Sequence, residues 1–301
     1  MVIKRLLQFG IVVFVESPIN VVLWIKHQKM KWAYESDLSI GDLNPGDTSI
    51  SDSHENLDFL KLCKLASEDQ EIFSKFRSNK DFAKVLEHVD YWRGHLYAAK
   101  IRGKKPEIFL NDFIDRYETI GGPLQYKFRS FPICSPSILR YISVQLELNE
   151  YFGNLDELII TEIGVGYGGQ AVTTSHFAKP KLYNLYDLPE VLGLAEKFTS
   201  SLALPVIFKY YDGRNPKTMD SDLIISNYAF SELERTLQVL YLQKVLLQSR
   251  MGYITWNDLS MKRLGGLSVD ELLSAIPGSE VLEENPSTAS GNVVIVWGRK
   301  K

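Results

Sequence analysis

The chain has 301 residues, 45% hydrophobic and 24% charged, which fits one large or two ordinary globular domains. A net charge of −3 excludes a global basic field for nucleic acid, so the Lys and Arg residues read as a solvated surface. Cys63 and Cys134 stand far apart with no CxxC, and no clear signal peptide is present, which favours a reducing, cytoplasmic setting over secretion.

The first element, "LLQFGIVVFVESPINVVLWI" (6–25), is highly apolar, with Lys4 and Arg5 before it and Lys26, Lys29 and Lys31 after it. A membrane-spanning helix needs about 20 apolar residues. This stretch is interrupted by Gln8, Glu16, Ser17, Pro18 and Asn20, and a mid-span Glu-Ser-Pro is costly in lipid. It also lacks a good small-residue cleavage site. We expect two short helices broken at Pro18, with residues 1–36 serving packing, homodimerisation or peripheral membrane contact. Residues 37–54, rich in Gly, Ser, Asp and Pro, read as a loop.

From Leu57 to about Lys100 the apolar residues recur at helical spacing (Leu57, Leu60, Leu65, then Phe73, Phe76, then Phe82, Val85, Val89 and Trp92). "ETIGGPLQY" (118–126) reads as a turn. "SPSILRYISVQLELNEYFG" (135–153) opens with a Ser cap and a Pro at the first helical position. It carries Ile138, Tyr141, Ile142 and Leu146 on one face and stops at a Gly. The expected organisation is an apolar segment over 1–36, a mostly helical region over 37–153 that covers the acceptor, and a cofactor-binding domain over 154–301.

After Gly153, strands and helices alternate. "ELIITEIG", "KLYNLYD", "PVIFKYY", "DLIISNY" and "GYITWN" read as strands. "GGQAVTTSHFA", "LPEVLGLAEKFTSSL", a span across 231–249 and "SVDELLSAI" read as helices. This predicts an α/β, Rossmann-like, doubly wound parallel sheet. "SEVLEEN" and "NVVIVWG" follow with no helix between them and should pair antiparallel. A parallel sheet ending in an antiparallel hairpin is the layout of class I methyltransferases.

The loop "EIGVGYGG" fits two cofactors. Gly164, Gly166 and Gly169 satisfy the dinucleotide pattern G-x-G-x-x-G; Glu162, Gly164, Gly166 and Gly168 satisfy the E-x-G-x-G-x-G form that holds S-adenosylmethionine. Glu162 discriminates: a carboxylate there meets the ammonium of S-adenosylmethionine and repels a pyrophosphate. Asp187, 23 residues after Gly164 (187 − 164), ends the next strand and can take ribose hydroxyls of either cofactor. It also precedes Leu188, Pro189 and Glu190, a good helix start. Ser226, Asn227, Tyr228 and Glu232 follow the fourth strand of the domain, on the edge where such sheets bind ligands. Ser231 and Glu234 also read as a capping box. The cofactor-facing set expected on this edge is Glu162, Gly164, Gly166, Gly168, Gln170, Asp187, Leu188, Asp212, Ser226 and Asn227.

"LEHVDYWRGHLY", "GGPLQYKF", "SPSILRYISV", "EIGVGYGGQ", "YDLPEV", "SNYAFSELE", "GYITWN" and the closing "VVIVWG" resemble the bacterial sugar O-methyltransferases, from about Phe73 to Trp297. The resemblance implies a class I, S-adenosylmethionine-dependent enzyme that methylates a sugar hydroxyl in surface-glycan synthesis, with a sugar or glycan as partner. It does not reach residues 1–36. For the catalytic groups we expect Glu232 and His88, one taking the hydroxyl proton and the other holding the sugar. No ligand-spacing motif marks a metal. A nicotinamide-dependent oxidoreductase and a non-catalytic glycan-assembly subunit are the alternatives.

Overall fold

The computed structural model describes residues 57–87, 89–104, 110–258 and 264–300. Residues 1–36, the expected 37–54 loop and His88 lie outside them. Among the described residues no helix is long and apolar enough to cross a membrane.

The first part is helical: α1 (Leu57–Glu68), α2 (Lys80–Val85), α3 (Tyr91–Gly103) and α4 (Leu110–Tyr117). Its starts are set by short polar side chains that take an orphan N–H of the first turn. Asn79 accepts from Asp81 at 2.9 Å and Asp90 from Arg93 at 2.8 Å. A two-residue ladder follows, β1 (Tyr126–Lys127) against β2 (Ile133–Cys134), too short for any periodicity to announce it. Helix α5 (Pro136–Phe152) is capped by Ser135, carries Pro at its first position and ends at Gly153, φ +79°. The single apolar face expected of α5 is an understatement. Ile138, Leu139, Ile142, Val144, Leu148 and Phe152 are all buried, as befits a helix wedged between the helical layer and the sheet.

The sheet comprises β3 (Ile159–Ile163), β4 (Leu182–Asp187), β5 (Ile207–Asp212), β6 (Ser221–Asn227), β7 (Ser249–Trp256), β8 (Glu280–Glu283) and β9 (Val293–Trp297). Their spatial order is β5-β4-β3-β6-β7-β9-β8, parallel except for β9, which runs antiparallel to both neighbours. This is the class I methyltransferase layout that the strand–helix alternation predicts. Between the strands lie α6 (Gly169–Phe177), α7 (Pro189–Ser200), α8 (Arg235–Lys244) and α9 (Val269–Ala275). The helix expected over 231–249 is shorter. Residues Ala229–Glu232 and Leu246–Gln248 form 3₁₀ turns, and Glu234, not Ser231, caps α8 by accepting from Leu237 at 3.2 Å. Ser231 is occupied elsewhere: its hydroxyl donates to the Tyr228 carbonyl at 2.6 Å and accepts from the Asn257 N–H at 2.9 Å.

The helical region and the sheet domain share one apolar core. Phe59, Phe76 and Phe82 from the first pack with Tyr167 of the glycine loop and Phe198 of α7, with ring centroids 4.8–6.4 Å apart for the pairs formed by Phe76. Arg77, 1% exposed, is embedded in this core. Its guanidinium lies 2.6 Å from Glu87, 3.4 Å from Glu118 and 2.9 Å from the Ser135 hydroxyl. The rings of Tyr117 and Tyr167 flank it at 5.1 and 5.2 Å.

Candidate active site

In a doubly wound sheet, ligands bind beyond the carboxyl ends of the strands where the order reverses. Here the reversal lies between β3 and β6, and a cavity of about 330 Å³ opens there. A smaller recess of about 50 Å³ adjoins it, and the two share Gly164, Asp187, Ala229 and Glu232 in their walls.

Side chains alternate along a strand. Ile160 of β3, Leu185 of β4 and Ile225 of β6 pack in the core under α5 and α6. Two residues further on, Glu162, Asp187 and Asn227 continue the same face, and all three reach the cavity wall. Ile163, Tyr186 and Ile224 take the opposite face, with α8 and α9.

Glu162 is 2% exposed, and one of its carboxylate oxygens accepts from the Tyr183 hydroxyl at 2.8 Å. Burial and, less strongly, the Asp187 charge push its carboxyl up from 4.5 to about 8, against the Tyr183 hydrogen bond. Asp187 accepts from the Leu188 N–H and the Gly166 N–H, each at 2.8 Å. Burial raises it to about 6, while the backbone donors Leu188, Gly166 and Val165 pull it down. Both groups hold a proton more firmly folded than unfolded, so the ligand-free protein loses stability as pH climbs from about 4 through 8. We expect roughly 5 kcal/mol lost from the two together between about pH 5 and pH 8, most of it from Glu162. Glu162→Gln should remove most of that slope in urea unfolding curves, and an unchanged slope would contradict the burial account.

Gly164 and Gly166 have φ of +74° and +54°. A Cβ on Gly164 would stand 1.9 Å from that of Ala229, so glycine is required for the 229–232 turn to sit against the loop. A Cβ on Gly166 would point at Leu86 in the cavity, 3.1 Å away. Leu188 lines the recess, together with Gly213 and Arg214. Glu232 lines both spaces; its Oε1 accepts from Asn257 at 3.1 Å, and burial raises its carboxyl above the usual range against that bond and the Arg140 charge. Both polar atoms of the Asn227 amide are buried and have no hydrogen-bond partner among the described residues, an arrangement that calls for a ligand or water in the cavity.

Four expected positions lie off the cavity walls. A Cβ on Gly168 would face Thr199 of α7, so this glycine serves helix packing. Gln170 is 1% exposed inside α6 and donates to Thr174 at 3.2 Å. Ser226 is fully buried, donating to the Ile163 carbonyl and accepting from the Phe230 N–H, each at 3.0 Å, which ties β6 to β3 and to the following turn. Asp212 is paired with Arg214 at 3.2 Å at the surface.

The structure places Tyr228, expected on this edge, in the cavity wall and adds Arg140, which the sequence reading did not single out. Tyr228 holds φ +70°, a strained value for a bulky residue, and its hydroxyl bonds Glu284 and, at 3.0 Å, Thr288. Arg140, the lone cation of α5, stacks 4.6 Å over the Tyr228 ring and lines the cavity with Arg93 and Tyr97. Among the described residues, no group of three or more His, Cys, Asp or Glu side chains is placed to hold a metal.

No family model matches the chain, and no curated protein matches it by sequence. Parts of several solved structures are similar. One is a magnesium protoporphyrin IX methyltransferase from Synechocystis with bound S-adenosylhomocysteine: 13% identity, 53% of this chain, 81% of that one, TM-score 0.42. Another is an S-adenosylmethionine-dependent methyltransferase from Mesorhizobium loti: 13% identity, 49% of this chain, 93% of that one, TM-score 0.38. A third is TehB from Haemophilus influenzae: 14% identity, 52% and 62% of the two chains, TM-score 0.38. These likenesses are partial and remote; the fold stands on the chain's own strand order.

Proposed function

We propose that the chain is an S-adenosylmethionine-dependent O-methyltransferase that methylates a sugar hydroxyl in the synthesis of bacterial surface glycans. The observation that carries this reading is Glu162: a buried carboxyl beside the glycine loop, facing a cavity and, among the described residues, hydrogen-bonded only by Tyr183. A cationic ammonium would satisfy it. A pyrophosphate could not make that pairing with Glu162, which is what separates this site from a dinucleotide one.

The residues present suit the cofactor along its length. Leu188, Gly213, Leu233 and Leu237 would take the adenine in the recess. Asp187 keeps lone pairs for ribose hydroxyls beyond the two backbone bonds it accepts. Glu162 would take the amino-acid end, and Asn227 would supply the polar contacts its buried amide lacks. When bound, the cofactor supplies an electrophilic methyl group on a sulfonium. The chain's part is to hold the acceptor oxygen in line with it and to remove the hydroxyl proton. Glu232, raised by burial and fixed on one oxygen by Asn257, has its second oxygen available as the base. Tyr97, Tyr141 and Asn257 on the same wall suit a hydroxyl-rich acceptor, and the sequence resemblance to sugar O-methyltransferases supports the substrate class. His88, the other catalytic candidate, lies between Glu87 and Val89 in the sequence, outside the described residues.

Glu232→Gln should keep cofactor affinity and lower turnover about a hundredfold or more, the usual scale of a general base. The assay is methyl transfer from labelled S-adenosylmethionine to glycans extracted from cells lacking the gene, read by mass spectrometry. Near-normal turnover would assign the proton to another group; no transfer to any glycan by the unaltered protein would overturn the sugar reading.

A further inference from the structure

Arg140 is 8% exposed, yet no hydrogen bond or ion pair reaches its guanidinium from the described residues; it only stacks on the Tyr228 ring at 4.6 Å. The contrast with Arg77 is direct, since that buried guanidinium is met by Glu87, Glu118 and Ser135. An arginine stays charged at any physiological pH, and a buried charge without a partner is costly. Among the described residues none of the acids around Arg140 pairs with it: one oxygen of Glu162 accepts from Tyr183, one of Glu232 from Asn257, and both oxygens of Glu284 accept from Thr288. Nearby Arg93 is itself engaged, donating to the Thr288 carbonyl at 2.5 Å. The open donors of Arg140 belong to a cavity of about 330 Å³ that they line.

We propose that Arg140 is the seat of a negatively charged group on the methyl acceptor, so that the substrate is an acidic sugar, bearing a carboxylate or a phosphate, rather than a neutral one. The proposal rests on the methyltransferase reading above. The planar guanidinium pairs with either oxyanion through two parallel hydrogen bonds. The amino-acid carboxylate of the cofactor is a second source of the same chemistry. The acceptor is preferred because Arg140 comes from α5, outside the glycine loop, stacks on Tyr228 and lines the cavity together with Arg93 and Tyr97 of α3.

The test titrates the full-length protein, loaded with S-adenosylhomocysteine, with D-glucuronate, glucose 1-phosphate and D-glucose at constant ionic strength. At least one acid should bind about tenfold or more tightly than glucose, the scale of a charged hydrogen-bonded pair, and which one does so separates carboxylate from phosphate. Arg140→Gln should erase the difference and keep S-adenosylhomocysteine affinity, which also reports that the variant is folded. Arg140→Lys, retaining charge without the fork, should keep part of the preference. Equal binding of acids and glucose, or a preference that survives in Arg140→Gln, would overturn the proposal. A variant that instead loses S-adenosylhomocysteine while remaining folded by circular dichroism would assign Arg140 to the cofactor and overturn it as well. Failure of the unaltered protein to bind S-adenosylhomocysteine would remove the methyltransferase reading and this proposal with it; acid-blind binding of sugars removes this proposal alone.

Discussion

Gly166→Val should leave a folded protein that no longer binds S-adenosylmethionine. Gly166 sits at φ +54°, and its N–H ties the loop to Asp187 at 2.8 Å. A valine there would be strained by about 1–3 kcal/mol, which a domain with this much shared core should survive. Its Cβ would start 3.1 Å from Leu86, a flexible neighbour, and its methyl groups would occupy the cavity where the cofactor must pass. Gly164 is the poorer choice for this experiment, because a side chain there collides with Ala229 and disturbs the turn itself. Asp187→Ala is the milder companion. It removes hydrogen bonds to the ribose and the anchor of the Gly166 N–H, and should weaken binding by roughly 1–3 kcal/mol. Unchanged affinity in both variants would remove the cofactor from this loop.

Arg77→Met should be the most destabilising single change in the helical region. It leaves Glu87 and Glu118 facing each other in a buried site, with Ser135 and the Gln125 amide as donors to Glu118. Removing one partner of a buried ion pair costs about 3–5 kcal/mol. The effect should reach the glycine loop, because the Tyr167 hydroxyl donates to Glu87 at 3.1 Å and lies 2.8 Å from that of Tyr117. Urea denaturation monitored by tryptophan fluorescence measures the loss. A change below about 1 kcal/mol, the range of exposed pairs, would mean that this cluster is solvated and does not bind the two layers together.

Much of the fold was legible because its signals are local. The strand–helix alternation after Gly153, the Ser135-Pro136 start and Gly153 stop of α5, and the antiparallel final strands each follow from patterns within about twenty residues. The region 228–234 was not, because its geometry depends on contacts across the sheet. Ser231 is drawn to Asn257 just past the next strand, and the chain turns at a strained Tyr228, so the helix starts later than its composition implies.

The site divides the same way. Glu162, Asp187 and Asn227 were placed at the strand ends and do reach the cavity. Ser226 was placed there too, but a parallel strand buried on both faces carries no alternation to say which side chain faces the ligand. Register decides it: Ser226 turns toward the Ile163 carbonyl and Asn227 toward the cavity. Arg140 was missed because an isolated arginine on an amphipathic helix reads as surface until the packing on both sides of α5 is seen.

The central claim is that Glu162 and the glycine loop hold S-adenosylmethionine and not a dinucleotide. Calorimetric titration of the full-length protein with S-adenosylhomocysteine and with NAD⁺, near pH 7 in two buffers of different ionisation heat, tests it most directly. S-adenosylhomocysteine should bind one to one and release a proton, because an ammonium beside Glu162 brings its carboxyl down from about 8. NAD⁺ should give no binding heat. Binding of NAD⁺ with none of S-adenosylhomocysteine would contradict the account.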